Sequence, residues 1–124
     1  MKSEIMLFVN NVEASSNWYQ ELLGATSAHG GSEYEMLTDD SGVLLFQLHK
    51  LGGEEHGVNL QDNNSPRGAG VLCYVNVDDV EVIFEKAKQM GADIENEPTF
   101  IELAGHTEFI LRDPDGYSLA IYSR

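Results

Sequence analysis

The segment Asp113-Pro114-Asp115-Gly116-Tyr117-Ser118-Leu119-Ala120-Ile121-Tyr122 opens with what a type I turn asks for: Asp at the first corner, Pro at the second, Gly at the fourth. β-formers flank it, Phe109-Ile110-Leu111 before and Leu119 to Tyr122 after, so the segment reads as a β-hairpin. A plainer version lies in the first half of the chain. There Thr38-Asp39-Asp40-Ser41-Gly42 leads into Val43-Leu44-Leu45-Phe46-Gln47-Leu48. Each hairpin follows a strand and a helix, which is the pattern of one unit written twice.

Outward from the hairpins the two halves keep the same order. Glu4 to Val12 reads as a strand with both faces apolar. Asn11 offers a helix N-cap with Glu13 in the first turn. Ala14, Trp18 and Leu22 form one helical row and Tyr19 and Leu23 the next, with Trp18 expected to pack on the sheet. Gly24 ends that helix, and strands follow at 25–29, 34–37 and 43–49. In the second half Val71 to Val77 is a strand, and Asp78 or Asp79 caps a helix with a buried stripe of Val80, Ile83, Phe84, Ala87 and Met90. Gly91 ends it, and strands follow at 92–95, 98–103, 106–112 and 118–122. Val9-Asn10-Asn11-Val12 matches Val77-Asp78-Asp79-Val80, and Gly24-Ala25 matches Gly91-Ala92. The expected fold is α+β: one domain over residues 1–124, with units at about 3–49 and 71–124 and a Gly-rich bridge at about 50–70.

Composition narrows the function. The net charge of -14, from 21 acidic and 7 basic residues, repels phosphate backbones and anionic lipid, which disfavours nucleic-acid and membrane partners. No apolar run approaches bilayer length, and Ile5 to Val9 is short for the core of a signal peptide, so a cytoplasmic protein is expected. Cys73, the one cysteine, has strand parity opposite to Leu72 and Tyr74 and should be a buried, inert thiol facing the helix layer. The serines lack a Gly-x-Ser-x-Gly elbow, and the Gly-rich loop lacks the Lys-Ser/Thr ending of a phosphate-binding loop.

A duplicated β-α-β-β-β unit with these helix starts, Gly-Ala helix ends and Arg-Asp-Pro-Asp-Gly-Tyr in the last hairpin resembles the vicinal oxygen chelate superfamily. That family includes glyoxalases, bleomycin-resistance proteins, fosfomycin-resistance transferases and extradiol dioxygenases. The resemblance implies open, curled mixed sheets around a cavity, with helices on the outer faces. In metal-using relatives, one position at the start of each unit's first strand and one on each last strand supply the ligands. Carried over, these positions are Glu4 and Leu72, and, four beyond each turn glycine, Phe46 and Ala120. Only Glu4 has a donor group, so no metal and no cofactor is expected.

Two functions remain open. The first is a metal-free protein, similar to the bleomycin-resistance branch, that sequesters an aromatic or cationic small molecule, as a homodimer. Its pocket would draw on Glu4, Met6, Phe8, Phe46 and Leu48 in the first unit. Leu72, Tyr74, Glu108, Ala120 and Tyr122 would line it in the second. Glu4, if desolvated there, would serve as a general base or meet a cation; at the strand's edge it would stay solvated. His106 and Glu108 share a strand face, as a polar pair or as a solvated face. The second function is a glyoxalase-like lyase, isomerase or dioxygenase whose ion is held by Glu4 with His49, His56 or His106. The four histidines, His29 among them, show no familiar ligand spacing and read as surface or loop residues.

Overall fold

The computed structural model of the chain describes residues 1–52 and 67–124. His56 and most of the interval read as a bridge lie outside the described residues. The chain divides into two units, Met1–Ser65 and Pro66–Arg124.

The first unit runs β1 (Met6–Val9), α1 (Val12–Leu23), β2 (Thr26–Ser27), β3 (Tyr34–Thr38) and β4 (Leu44–Lys50). Its sheet has the order β1-β4-β3-β2, with β1 and β4 parallel and the other pairs antiparallel. The Asn11 side chain accepts from the Ala14 N–H at 2.9 Å and caps α1, and Gly24 closes it at φ 68. The buried face of α1 differs from the expected row. Val12, Ser15, Ser16, Tyr19 and Leu22 are buried, while Ala14 is exposed and Trp18 half-buried. The reason is polar: Ser16 turns inward to donate its hydroxyl to Glu35 at 2.8 Å, and a search for apolar spacing passes over it.

Glu35 is buried beneath α1. One carboxylate oxygen accepts from the Ser16 and Ser27 hydroxyls, the other from the N–H groups of His29, Gly30 and Met36. Burial alone would raise the carboxyl pKa, but these bonds from Ser27, Gly30, Ser16 and His29 outweigh it and hold the pKa below the ordinary value. One side chain thereby ties α1, β2 and the turn before β3 together.

The second unit runs β5 (Leu72–Asn76), α2 (Val80–Gln89), β6 (Asp93–Ile94), β7 (Thr99–Ile101), β8 (His106–Arg112) and β9 (Ser118–Ser123). Its sheet has the order β5-β9-β8-β6, and β7 pairs with the other end of β8. Asp79 caps α2 by accepting from the Glu81 N–H, and Gly91 ends the helix at φ 66. The Ala92 N–H reaches Ala87 O and the Gly91 N–H reaches Lys88 O, the paired bonds of a Schellman ending. Val80, Phe84 and Ala87 are buried, and the Phe84 ring meets Phe109 edge-on at 5.2 Å. Cys73 is buried on this same side with Val75, Leu119 and Ile121; burial, then the charge of Asp113, raises its thiol pKa.

The two hairpins are built alike. Asp39 Oδ1 accepts from the N–H groups of Ser41 and Val43; Asp113 Oδ1 does the same for Asp115 and Tyr117. The Asp39 N–H reaches Val43 O and the Asp113 N–H reaches Tyr117 O, both at 2.9 Å. Gly42 and Gly116 sit at φ 83 and 94, a left-handed backbone that favours glycine. The units part company just beyond the turn. In the second, Arg112 faces Ser118 and Leu111 faces Leu119 in unbroken register. In the first, Thr38 faces Leu44 but Leu37 faces Phe46, a bulge that leaves Leu45 as the extra residue.

Candidate functional site

The bulge decides which side chains of the first sheet point away from α1. One extra residue reverses strand parity. Phe46 and Leu48, expected in the pocket, are instead buried on the α1 side, with the Phe46 ring 5.5 Å from Tyr19. Their places on the other face belong to Gln47 and His49. Gln47 pairs with Met6 as Ala120 pairs with Tyr74, so Gln47 is the counterpart of Ala120. Met6 and Phe8 do lie on this face, half-buried, with the Phe8 ring 5.3 Å from that of His49. Tyr34 joins them from β3 and donates its hydroxyl to Gln47 Oε1. Burial, then the charges of Glu4 and Glu35, raises the Tyr34 phenol pKa. Glu4 precedes β1, is exposed, and forms an ion pair with Lys2 at 2.9 Å. Gln47 is the one polar side chain in Leu44 to Leu48, the signal by which the sequence could have revealed it.

On the second sheet Leu72, Tyr74, Glu108, Ala120 and Tyr122 share the face away from α2. Register places Tyr74 opposite Ala120, and Glu108 opposite Tyr122. Ala120 is fully buried; Leu72 and Tyr74 are 42% and 55% exposed. His106, from the same face of β8, has Nε2 at 2.7 Å from Glu108 Oε1, and the Tyr74 hydroxyl reaches that oxygen at 3.3 Å. The Tyr122 ring lies 4.5 Å from His106 and 5.6 Å from Tyr74. His106 and Glu108 are buried rather than a solvated strand face, because these rings close around them. The Glu108 charge, then burial and the hydrogen bond, raises the Tyr74 phenol pKa. The Arg124 guanidinium rests over the Tyr122 ring at 5.4 Å.

The four positions matched to metal ligands now hold Glu4, Gln47, Leu72 and Ala120. Leu and Ala have no donor atom, and the Gln47 carbonyl already accepts from Tyr34. Among the described residues no group of three or more His, Cys, Asp or Glu is placed to hold a metal ion. This donor set does not fit a metal centre.

The sequence model of the Glyoxalase/Bleomycin resistance protein/Dioxygenase superfamily matches residues 3–121. The chain belongs to this superfamily. Solved structures agree on the fold. A glyoxalase-related enzyme from Fulvimarina pelagi has a TM-score of 0.79 at 18% identity, covering 100% of this chain and 88% of that one. TioX from Micromonospora sp. ML1 gives 0.73 at 19% identity, with 100% and 96% covered. A glyoxalase/bleomycin resistance protein/dioxygenase from Nocardioides gives 0.76 at 18% identity, with 99% and 82% covered. At these identities the likeness is one of fold. A comparison with curated proteins gave no match. No helix among the described residues is long and apolar enough to cross a membrane.

Proposed function

We propose that this superfamily member is a metal-independent binding protein that holds an aromatic or cationic small molecule on the face of the second sheet away from α2. The observation that carries this is the aromatic group Tyr74, Tyr122 and His106 around the Glu108 carboxylate, with Leu72 and Tyr74 left exposed beside it. Exposed apolar side chains next to a buried charge are what a ligand of mixed character covers. Arg124 over Tyr122 supports the cationic option, since the ring already takes a guanidinium. The net charge of -14 draws cations toward the surface. Glu4 and the Tyr34–Gln47 pair would serve ligand recognition on the first sheet. A homodimer is the proposed assembly, supported by the exposure of Ile5 and Phe100, side chains outside the ligand's aromatic group, and a cytoplasmic location suits the buried free thiol of Cys73.

A thermal-shift screen tests this. Aromatic and cationic compounds should raise the melting temperature by mass action on the folded state, and Tyr74→Ala should abolish the rise. Zinc, nickel and iron titrated by calorimetry should give flat traces. Stoichiometric metal binding lost in Glu4→Ala would instead support a metal-dependent enzyme.

A further inference from the structure

His106 has an unmet valence. Its ring is buried, and Nε2 lies 2.7 Å from Glu108 Oε1. An ionised carboxylate only accepts, so Nε2 carries the hydrogen and donates. In the tautomer with its one hydrogen on Nε2, the imidazole keeps a bare lone pair on Nδ1. That atom is buried and has no hydrogen-bond partner among the described residues. A buried acceptor left without a donor is unfavourable, and native proteins rarely keep one without a use. Two flat surfaces flank the imidazole: the Tyr122 and Tyr74 rings lie 4.5 Å and 6.1 Å from it, centroid to centroid.

We infer that His106 Nδ1 is the specificity element of this face, accepting a hydrogen bond from the hydroxyl of an aromatic ligand whose ring packs against Tyr74 and Tyr122. The inference rests on the reading of this face as an aromatic binding site and adds the polar group the ligand must carry. Glu108 acts as a positioning residue. By accepting from Nε2 it fixes the tautomer and leaves Nδ1 as the ring's acceptor. Tyr74 is the side chain that yields on entry. Its ring is the more exposed of the two, and its hydroxyl holds Glu108 at 3.3 Å, long for an O–H donor.

Two measurements test this. In the ligand-free protein, nitrogen NMR of His106 should show Nε2 protonated and Nδ1 bare; a protonated Nδ1 overturns the inference whatever the ligand. Calorimetry then compares 4-methylphenol, whose hydroxyl stays protonated at neutral pH, with its methyl ether, 4-methylanisole, which keeps the ring but lacks the O–H. The phenol should bind about five- to tenfold more tightly, the strength of one net hydrogen bond, and should move the Nδ1 resonance where the ether does not. His106→Phe should bring the ratio to about one. If that variant unfolds, His106→Phe combined with Glu108→Leu removes both polar partners together and should give the same ratio. Equal binding of phenol and ether by the unmodified protein overturns the role of His106 and leaves the aromatic site standing. Binding of neither overturns both.

Discussion

The ring of Phe46 lies 5.5 Å from that of Tyr19, tilted against it on the α1 side of the first sheet. Both side chains are buried, so this contact belongs to the core. Phe46→Ala is expected to cost about 3–5 kcal/mol, the range for removing a buried aromatic, and to leave ligand affinity unchanged in the variant that still folds. Gln47→Ala, one residue on, should do the reverse. It releases the Tyr34 hydroxyl on the other face and should change binding more than stability. Urea unfolding of the two variants beside a binding isotherm separates these roles.

The Glu35 carboxylate gives the first unit a dependence on acid. Its folded pKa lies below the unfolded value, so its contribution is complete above the ordinary carboxylate range and is lost as pH falls through the folded value. Glu35→Gln keeps the shape but presents an amide to a set of donors, and should cost on the order of 2–3 kcal/mol at neutral pH. The unmodified protein should lose more melting temperature than the variant between about pH 6 and pH 3. Equal losses would mean that the buried carboxylate is no more ionised in the fold than in the open chain.

Much of this was legible in the chain. The Asp-x-x-Gly turns, the Asn11 and Asp79 caps and the Gly24 and Gly91 helix ends each carry a local backbone requirement, and each unit obeys them. The face of β4 was not legible, because counting by twos from Gly42 assumes an unbroken ladder. The trace the bulge at Leu45 leaves in the sequence is the polar Gln47 in an apolar run, which counting by twos passes over. The burial of His106 and Glu108 was hidden for another reason. A polar pair on alternate strand positions looks solvated until the Tyr74 and Tyr122 rings, distant in sequence, are seen beside it. Glu35 was missed likewise, since its donors come from α1, β2 and the following turn.

Gly68 is predicted to resist substitution. At φ 71 its backbone is left-handed, and a Cβ there would stand 2.6 Å from Tyr117 Cδ1. The neighbouring Arg67 guanidinium is fixed to Asp115 at 2.8 Å, so the segment has little freedom to back away. Gly68→Ala should cost about 1–2 kcal/mol from the backbone alone, and more if the Tyr117 ring cannot turn. Thermal unfolding of this variant should show a lower midpoint, while Gly116→Ala, with nothing within 4 Å of its Cβ among the described residues, should meet the backbone strain without the clash.

Tyr74 and Glu108 supply the last prediction. Ionising the Tyr74 phenol places a second negative charge beside the Glu108 carboxylate, which is the main cause of its raised pKa. In an ultraviolet titration Tyr74 should therefore ionise at higher pH than an ordinary tyrosine, identified by subtraction of the Tyr74→Phe curve. Glu108→Gln removes the charge but keeps an acceptor, and should bring the titration back toward the ordinary value. A bound cation should have the same effect in the unmodified protein, because it neutralises the same carboxylate. An ionic ligand that leaves the Tyr74 curve in place while binding elsewhere would separate Glu108 from cation recognition.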